Sequence, residues 1–293
     1  MYKRILVTIL WILYEYTGAH YIWRKIKPLK DPVTGNRIPA SITIWVIGIY
    51  FALYGIASQR YENRLGVLEN EVSLIVAQIG SPSGKKALGR IPDVQKKPCP
   101  SEPQLWPLYS GIISLFGKQV SNKEIVKKLN KVISSCKNDL NGVNLINVNL
   151  EWADLWEANL EGAIISQSNL FGAQLGYANL QGSRLLWTDL RVAELAFANL
   201  RGAYIGGANL KHADLWKAHL DGTSLYDARF EDAYLGKANL RDAKINEHTN
   251  FKNANLEEAI WINGIVCEKG SIGKCIQDGK EVYVYKDPME NRE

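Results

Sequence analysis

Acidic and imidazole side chains recur at fixed intervals in the second half of this 293-residue sequence. Asp154, Glu194 and Asp214 are separated by multiples of twenty, and His212 and His219 stand close to the last of them. Carboxylates and imidazoles gathered in one place are the material of general acid–base catalysis or of a metal site. Two observations speak against both. His212 and His219 occupy different phases of the local repeat, so they point from different faces, and no third histidine falls within ligand reach. Neither H-E-x-x-H nor G-x-S-x-G occurs. The sequence therefore assigns no catalytic residue, no metal ligand and no cofactor.

A second candidate, "GSPSGKK" at residues 80–86, resembles a phosphate-binding loop but is one residue too short between its glycines. It also lacks the Ser or Thr that would follow Lys86 to hold Mg²⁺. Nucleotide binding is not expected there. Four cysteines, Cys99, Cys136, Cys267 and Cys275, allow three pairings or none. Spacing leaves both Cys99/Cys136 and Cys267/Cys275 open.

The elements that would position such residues begin with a charge-free stretch, "IPASITIWVIGIYFALYGIAS", at residues 38–58. Its length suits a helix crossing about 30 Å of hydrocarbon. Pro39 at its start and Trp45, Tyr50 and Tyr54 within it fit such a span, so residues 1–58 are read as a membrane anchor. The stretch 5–23 is interrupted by Glu15 and His20 and fits a second span, an interfacial helix or a signal anchor. Glu15 and His20 in a membrane also suggest an ion or small-molecule sensor, a reading that rests on two residues. Arg24, Lys25, Lys27, Lys30 and Arg37 against Asp31 place the intervening loop in the cytoplasm and everything after residue 58 outside. Lys3 and Arg4 favour the opposite arrangement of the first segment, which keeps a hairpin with both ends inside as an alternative.

Past the anchor, Tyr61, Leu65, Leu68, Val72, Ile75 and Ile79 alternate gaps of four and three. Residues 59–80 therefore read as an amphipathic stalk, either a self-association seam for a homo-oligomer or a helix lying on its own chain. Pro92, Pro98, Pro100, Pro103 and Pro107 make residues 81–120 a linker. "SNKE" from Ser121 then opens a helix over 121–137, with Ile125, Leu129, Val132, Ile133 and Cys136 on one apolar face.

From Leu140 to Ile245 a Leu, Ile or Phe stands at every fifth residue through 22 units. Two residues earlier, from Ala153 to Ala243, the residue is Ala except at Ser168, Ser183, Thr188 and Thr223. One extra residue enters near His248, after which Thr249/Phe251 and Ala254/Leu256 resume the pattern. Neither a helix nor an ordinary strand has this period. One small and one large inward residue per unit require the chain to turn a corner at each repeat. Four corners close a coil of about 20 residues, and coils stack about 4.8 Å apart.

The sequence A(D/N)LXX over residues 138–261 resembles the pentapeptide-repeat family. The resemblance implies a mainly β fold, a right-handed quadrilateral β-helix, here with N-terminal transmembrane and capping helices. It also implies a bacterial protein, which together with the apolar stretch 38–58 makes the expected location the inner (cytoplasmic) membrane. Both ends of such a solenoid need covering. The Ser121 helix is the expected N-terminal cap, and residues 262–293, with "CIQDGK" and "EVYVY", the C-terminal one.

Residues twenty apart share a face. One face projects Trp156, Tyr177, Phe197, Trp216 and Tyr234; the opposite face carries Ile146, Leu186, Trp187, Tyr204 and Tyr226. A third is polar, with Asn159, Asn179, Asn199 and Asn239 beside Gly162, Gly182, Gly202 and Gly222. Aromatic stripes call for a cover, either residues 104–120 or the C-terminal tail of this chain, or another protein. A composition of 46% hydrophobic and 22% charged residues excludes disorder, and the net charge of +5 comes from Lys and Arg gathered before residue 140. Without a basic stripe on the repeats, nucleic acid is not an expected partner.

The expectation is a non-enzymatic scaffold held on a lipid bilayer and presenting β-helix faces to a protein partner. The alternative comes from the family, some members of which mimic duplex DNA and bind gyrase. Glu151, Asp154, Glu157 and Glu161 suit that role, but Arg191, Arg201, Lys211, Lys217, Lys237 and Arg241 interrupt any continuous acidic track.

Overall fold

The structure is a computed structural model that describes residues 40–79, 83–105, 114 and 120–282, with only the backbone at 40–44, 46 and 120. The segment 5–23 with Glu15 and His20, the basic loop 24–37, most of the candidate cover at 104–120 and the end of "EVYVY" lie outside the described residues.

Helix α1 runs Ala40–Gln78, so the expected anchor and stalk form one element of 39 residues. No proline falls within it, and Gln59, Arg60 and Glu62, where the apolar stretch ends, are compatible with a continuing helix. The expected span at 38–58 begins outside the described residues, and among the described residues no helix is long and apolar enough to cross a membrane. The heptad seam is largely covered by this chain. Tyr61, Leu68, Val72 and Ile75 are buried, whereas Leu65 and Ile79 are half-buried.

Residues 81–120 are more structured than the linker reading allowed. They contain α2 (Gly84–Leu88), α3 (Ile91–Lys96) and β1 (Pro98–Cys99), and β1 pairs antiparallel with β2 (Val120–Ser121). Pro92 sits in the first turn of α3, where a missing N–H costs nothing, so this proline starts a helix. Ser121 is paired with Pro98 and does not cap the next helix; α4 begins two residues on, at Lys123–Ser135. Its Ile125, Leu129 and Ile133 are buried as the periodicity requires.

The chain divides into two compact units, one comprising residues 1–69 and 98–122, the other 70–97 and 123–293. In the first, Arg64 Nε donates to Pro98 O at 2.9 Å and Asn122 Nδ2 donates to Tyr61 Oη at 3.5 Å. Burial pushes the Cys99 thiol above its usual pKa, which keeps it protonated and unreactive. Cys99 and Cys136 are both free and buried.

The second unit holds the repeats. Parallel bridges join residues twenty apart, Asn144 to Ile164, Asn149 to Asn169, Asp154 to Gln174 and Asn159 to Asn179, so four bridges make one coil. Each corner is a turn in which the residue three after the central one donates back to it, as Ala153 N does to Leu150 O at 3.0 Å. Every fifth residue from Gly142 to Asp242 has φ between +54° and +69°. That is the third position of a type II turn. A side chain there costs about 1–2 kcal/mol, and Val192, β-branched at +59°, is an extreme case. The cost is offset by stacking. The left-handed residue donates to the next coil, as Trp152 N does to Phe171 O at 2.9 Å and Glu157 N to Gly176 O at 2.8 Å.

The turn also explains why Asn or Asp stands before many of the central residues, as at Asn149, Asp154, Asn159 and Asp214. Its side-chain oxygen accepts from the backbone N–H two residues on: Asp154 Oδ1 from Trp156 N at 3.2 Å, and Asp214 Oδ1 from Trp216 N at 2.9 Å. The large residues from Leu140 to Leu240 are all buried, with Val143, Val148 and then Ala, Ser or Thr inward beside them. After Lys244 the bridge spacing becomes twenty-one, Arg229 to Asn250, which places the extra residue at the expected corner.

Both ends are covered. At the first coil Gln95 of α3, itself buried, donates from Nε2 to Asn149 O at 3.0 Å and accepts Asn149 N–H on Oε1 at 2.7 Å. Its amide therefore reproduces the two bonds that a preceding coil would have made. At the other end Phe230 stacks on Phe251 at 4.9 Å between centroids, and Trp261 packs edge-on against Phe251 at 5.3 Å. The chain then reverses, with antiparallel bridges Asn255–Ile272 and Ile260–Val266. Cys267 and Cys275 are disulfide-bonded there, and a short hairpin follows, β3 (Ile276–Gln277) with β4 (Lys280–Glu281).

Candidate interaction surface

The stripe expected at Trp156, Tyr177, Phe197, Trp216 and Tyr234 is brought together as a ladder running from coil to coil. Trp156 meets Tyr177 at 5.2 Å between centroids, and Tyr177 stacks on Phe197 at 4.6 Å, 7° from parallel. Lys217 Nζ lies 5.2 Å from the Phe197 centroid and 5.7 Å from that of Trp216, linking the two halves through a cation. Trp216 then stacks with Tyr234 at 5.4 Å. Tyr177 and Tyr234 are exposed, and the other three are half-buried.

Both tryptophans of this ladder lie on glycines. A Cβ on Gly176 would meet Trp156 Cζ3 at 2.2 Å, Cε3 at 2.6 Å and Cη2 at 2.9 Å, and one on Gly236 would meet Trp216 Cζ3 at 2.8 Å. Three atoms of one ring so close to a single point put that point over the ring face, not beside its rim. Trp152 over Gly172 and Trp187 over Gly207 repeat the arrangement. In all four cases the glycine follows its tryptophan by twenty residues, one coil later. The inner indole face is thus fixed on bare backbone.

The opposite face differs. Ile146, Trp187, Tyr204 and Tyr226 are exposed and Leu186 is half-buried, but among the described residues no ring contact joins Trp187, Tyr204 and Tyr226. Arg184 lies 5.9 Å over Tyr204. A third aromatic cluster was missed by sequence reasoning. Trp152 packs edge-on against Phe171 at 5.4 Å, and Arg191 covers Phe171 from 5.4 Å. The signal was present in the numbering. Trp152 and Phe171 occupy different outward positions in successive coils and meet across the coil step, as Trp156 and Tyr177 do.

The polar face is a hydrogen-bonded ladder. Asn199 Nδ2 donates to Asn179 Oδ1 at 3.1 Å, and Arg201 bridges Asp221 at 2.9 Å and His219 Nδ1 at 3.0 Å. Elsewhere Arg191 grips both oxygens of Asp189, and these bonds hold the Asp189 carboxyl below its ordinary range. Burial opposes ionisation of Glu231, yet the hydrogen bonds from Arg229 leave its pKa lowered. Asp154 and Asp214 are occupied as turn-formers, and among the described residues no cluster of His, Cys, Asp and Glu could hold a metal ion.

The pentapeptide repeats family matches residues 139–170, 168–207 and 203–242, in eight copies. Among solved structures the chain is similar to HetL, a pentapeptide repeat protein involved in heterocyst differentiation regulation from the cyanobacterium Nostoc sp. Strain PCC 7120. The two are 34% identical over 43% of this chain and 61% of that one, with a TM-score of 0.28, so less than two thirds of HetL is spanned. A second Nostoc pentapeptide repeat protein is also 34% identical, over 28% of this chain and 71% of its own, with a TM-score of 0.20. One from the cyanobacterium Cyanothece 51142 is 24% identical over 40% of this chain and 89% of its own, with a TM-score of 0.33. No curated protein matches the chain.

Proposed function

Because the chain belongs to the pentapeptide-repeat family, we propose that its β-helix is a docking scaffold for another protein, held on a membrane and performing no chemistry of its own. The observation that carries this reading is the ring ladder from Trp156 to Tyr234, positioned by regular backbone and leaving Tyr177 and Tyr234 exposed. Aromatic side chains fixed in place lose little freedom on binding, which makes them effective anchors.

Membrane attachment rests on the uncharged stretch 38–58, whose Trp45, Ile49, Phe51 and Ile56 are exposed along α1. The Cys267–Cys275 bond suits an oxidising compartment, in agreement with a cytoplasmic loop at 24–37 and repeats on the outer side of a bacterial inner membrane. DNA mimicry is the weaker reading. In the later coils the carboxylates are neutralised in place: Asp221 by Arg201 at 2.9 Å, Glu231 by Arg229 at 2.9 Å and Glu258 by Lys237 at 3.3 Å. A phosphate-like track is therefore broken along most of the rod.

The test is affinity capture from detergent-solubilised native membranes. Wild type is compared with a folded variant carrying Trp156→Ser, Tyr177→Ser, Phe197→Ser and Trp216→Ser. A protein retained by wild type and depleted at least tenfold with the variant is the expected result. Identical recovery with both would remove the ladder as a docking site.

A further inference from the structure

The rod contains its own internal comparison. Residues 151–157 read "EWADLWE" and residues 211–217 read "KHADLWK", sixty residues later and on the same faces. Asp154 and Asp214 form the same turn, and Trp156 and Trp216 each lie on the glycine one coil on. The charges are reversed. Around Trp216 the chain supplies cations itself, with Lys217 Nζ at 5.7 Å and Lys237 Nζ at 5.2 Å from the ring centroid. Around Trp156 the place of Lys217 is taken by Glu157, that of Lys211 by Glu151 and that of Lys237 by Tyr177.

This asymmetry extends over the first two coils. Between Lys137 and Arg184 there is no Lys or Arg, whereas Glu151, Asp154, Glu157 and Glu161 all fall there. Lys137 is the nearest basic residue in the chain before them, and its ammonium donates to Trp156 O at 2.7 Å. Among the described residues Glu151, Asp154 and Glu157 make no ion pair. Between them Trp152, with its inner face on Gly172, is 62% exposed and Tyr177 is 50% exposed. Farther along the rod several cations lie on rings: Arg191 on Phe171, Arg184 on Tyr204, Lys217 on Phe197 and Trp216, and Lys237 on Trp216.

We infer that the first two coils form a receptor for a basic segment of a partner protein, which lays Lys or Arg on the outer indole faces of Trp152 and Trp156 while Glu151, Asp154 and Glu157 neutralise it. This deepens the docking reading above and rests on it. The partner supplies what Lys211, Lys217 and Lys237 supply around Trp216. Cation–π contact and ion pairing act on the same cation, so a Lys- or Arg-bearing segment is favoured over an uncharged or acidic one.

The experiment titrates the full-length protein in detergent with deca-arginine, deca-lysine and deca-glutamate at physiological ionic strength, following the indole resonances of Trp152, Trp156, Trp187 and Trp216. Saturable shifts of Trp152 and Trp156 by the basic peptides, with Trp187 and Trp216 unmoved and deca-glutamate inert, are expected. Glu151→Lys together with Glu157→Lys copies an arrangement the rod already accommodates at Lys211 and Lys217, and it should weaken deca-arginine binding at least tenfold without loss of fold. Equal binding by that variant, or equal shifts at Trp187 and Trp216, overturns the proposal. So does an absence of peptide binding; if the membrane capture still depends on the ladder, the docking reading survives with an apolar partner. If removing residues 1–37 raises deca-arginine affinity, the chain's own basic loop is the occupant and an external partner is excluded.

Discussion

Gln95→Leu is expected to destabilise the repeat unit by about 1–3 kcal/mol, even though it puts an apolar side chain into a buried position. Gln95 is buried on α3 and its amide closes both backbone bonds of Asn149 on the first coil. Leucine would remove the acceptor of the half-buried Asn149 N–H, a loss of about 1–3 kcal/mol, while the Asn130 amide stays within 2.7 Å of Asn149 O. It would also reopen the edge of the β-helix, the place where a solenoid pairs with other chains. Urea unfolding followed by near-ultraviolet circular dichroism should show a lower midpoint, with concentration-dependent association near the transition. A midpoint equal to that of wild type would mean that α3 is a passive neighbour of the rod.

Gly176→Ala should also destabilise, against the usual trend. At an ordinary φ, exchanging glycine for alanine stabilises by about 0.4–1 kcal/mol through the unfolded chain. Here the new Cβ falls 2.2 Å from Trp156 Cζ3, so the indole must leave its seat. Overpacking of this kind costs about 1–3 kcal/mol, and the Trp156–Tyr177 contact at 5.2 Å goes with it. Trp156→Ala in the same chain removes the obstacle, so the double variant should be more stable than the sum of the two single changes by about 1 kcal/mol or more. Simple additivity would show that Trp156 does not rest on Gly176.

Much of this was legible in the residues. The Leu140–Ile245 period and the small residue two places earlier define the coil because inward positions admit little else, and the extra residue near His248 falls at the corner assigned to it. The ladder face followed from counting in twenties. Trp152 did not: it meets Phe171 diagonally, as Trp156 meets Tyr177, but Phe171 is followed twenty residues on by Arg191 and not by another aromatic residue, so no aromatic column marks that edge. The glycines under the tryptophans were also readable as Trp followed by Gly twenty residues on, a pattern visible only once the coil length is known. Residues 81–97 were harder. Their prolines suggest an extended linker, and nothing local announces that Pro92 starts a helix or that Gln95 reaches Asn149, a contact made 54 residues away. The Tyr61–Ile79 periodicity marks an apolar face but does not reveal whether that face is covered by its own chain or by another.

The central claim is that the Trp156–Tyr177–Phe197 strip is covered by another molecule in its native setting. Hydroxyl-radical footprinting tests it directly, comparing the protein in intact membranes with the purified protein in detergent and using Trp187 as the reference. Oxidation of Trp156, Tyr177 and Phe197 should fall several-fold in membranes while Trp187 reacts equally in both. Equal oxidation of all four in both settings would contradict the account.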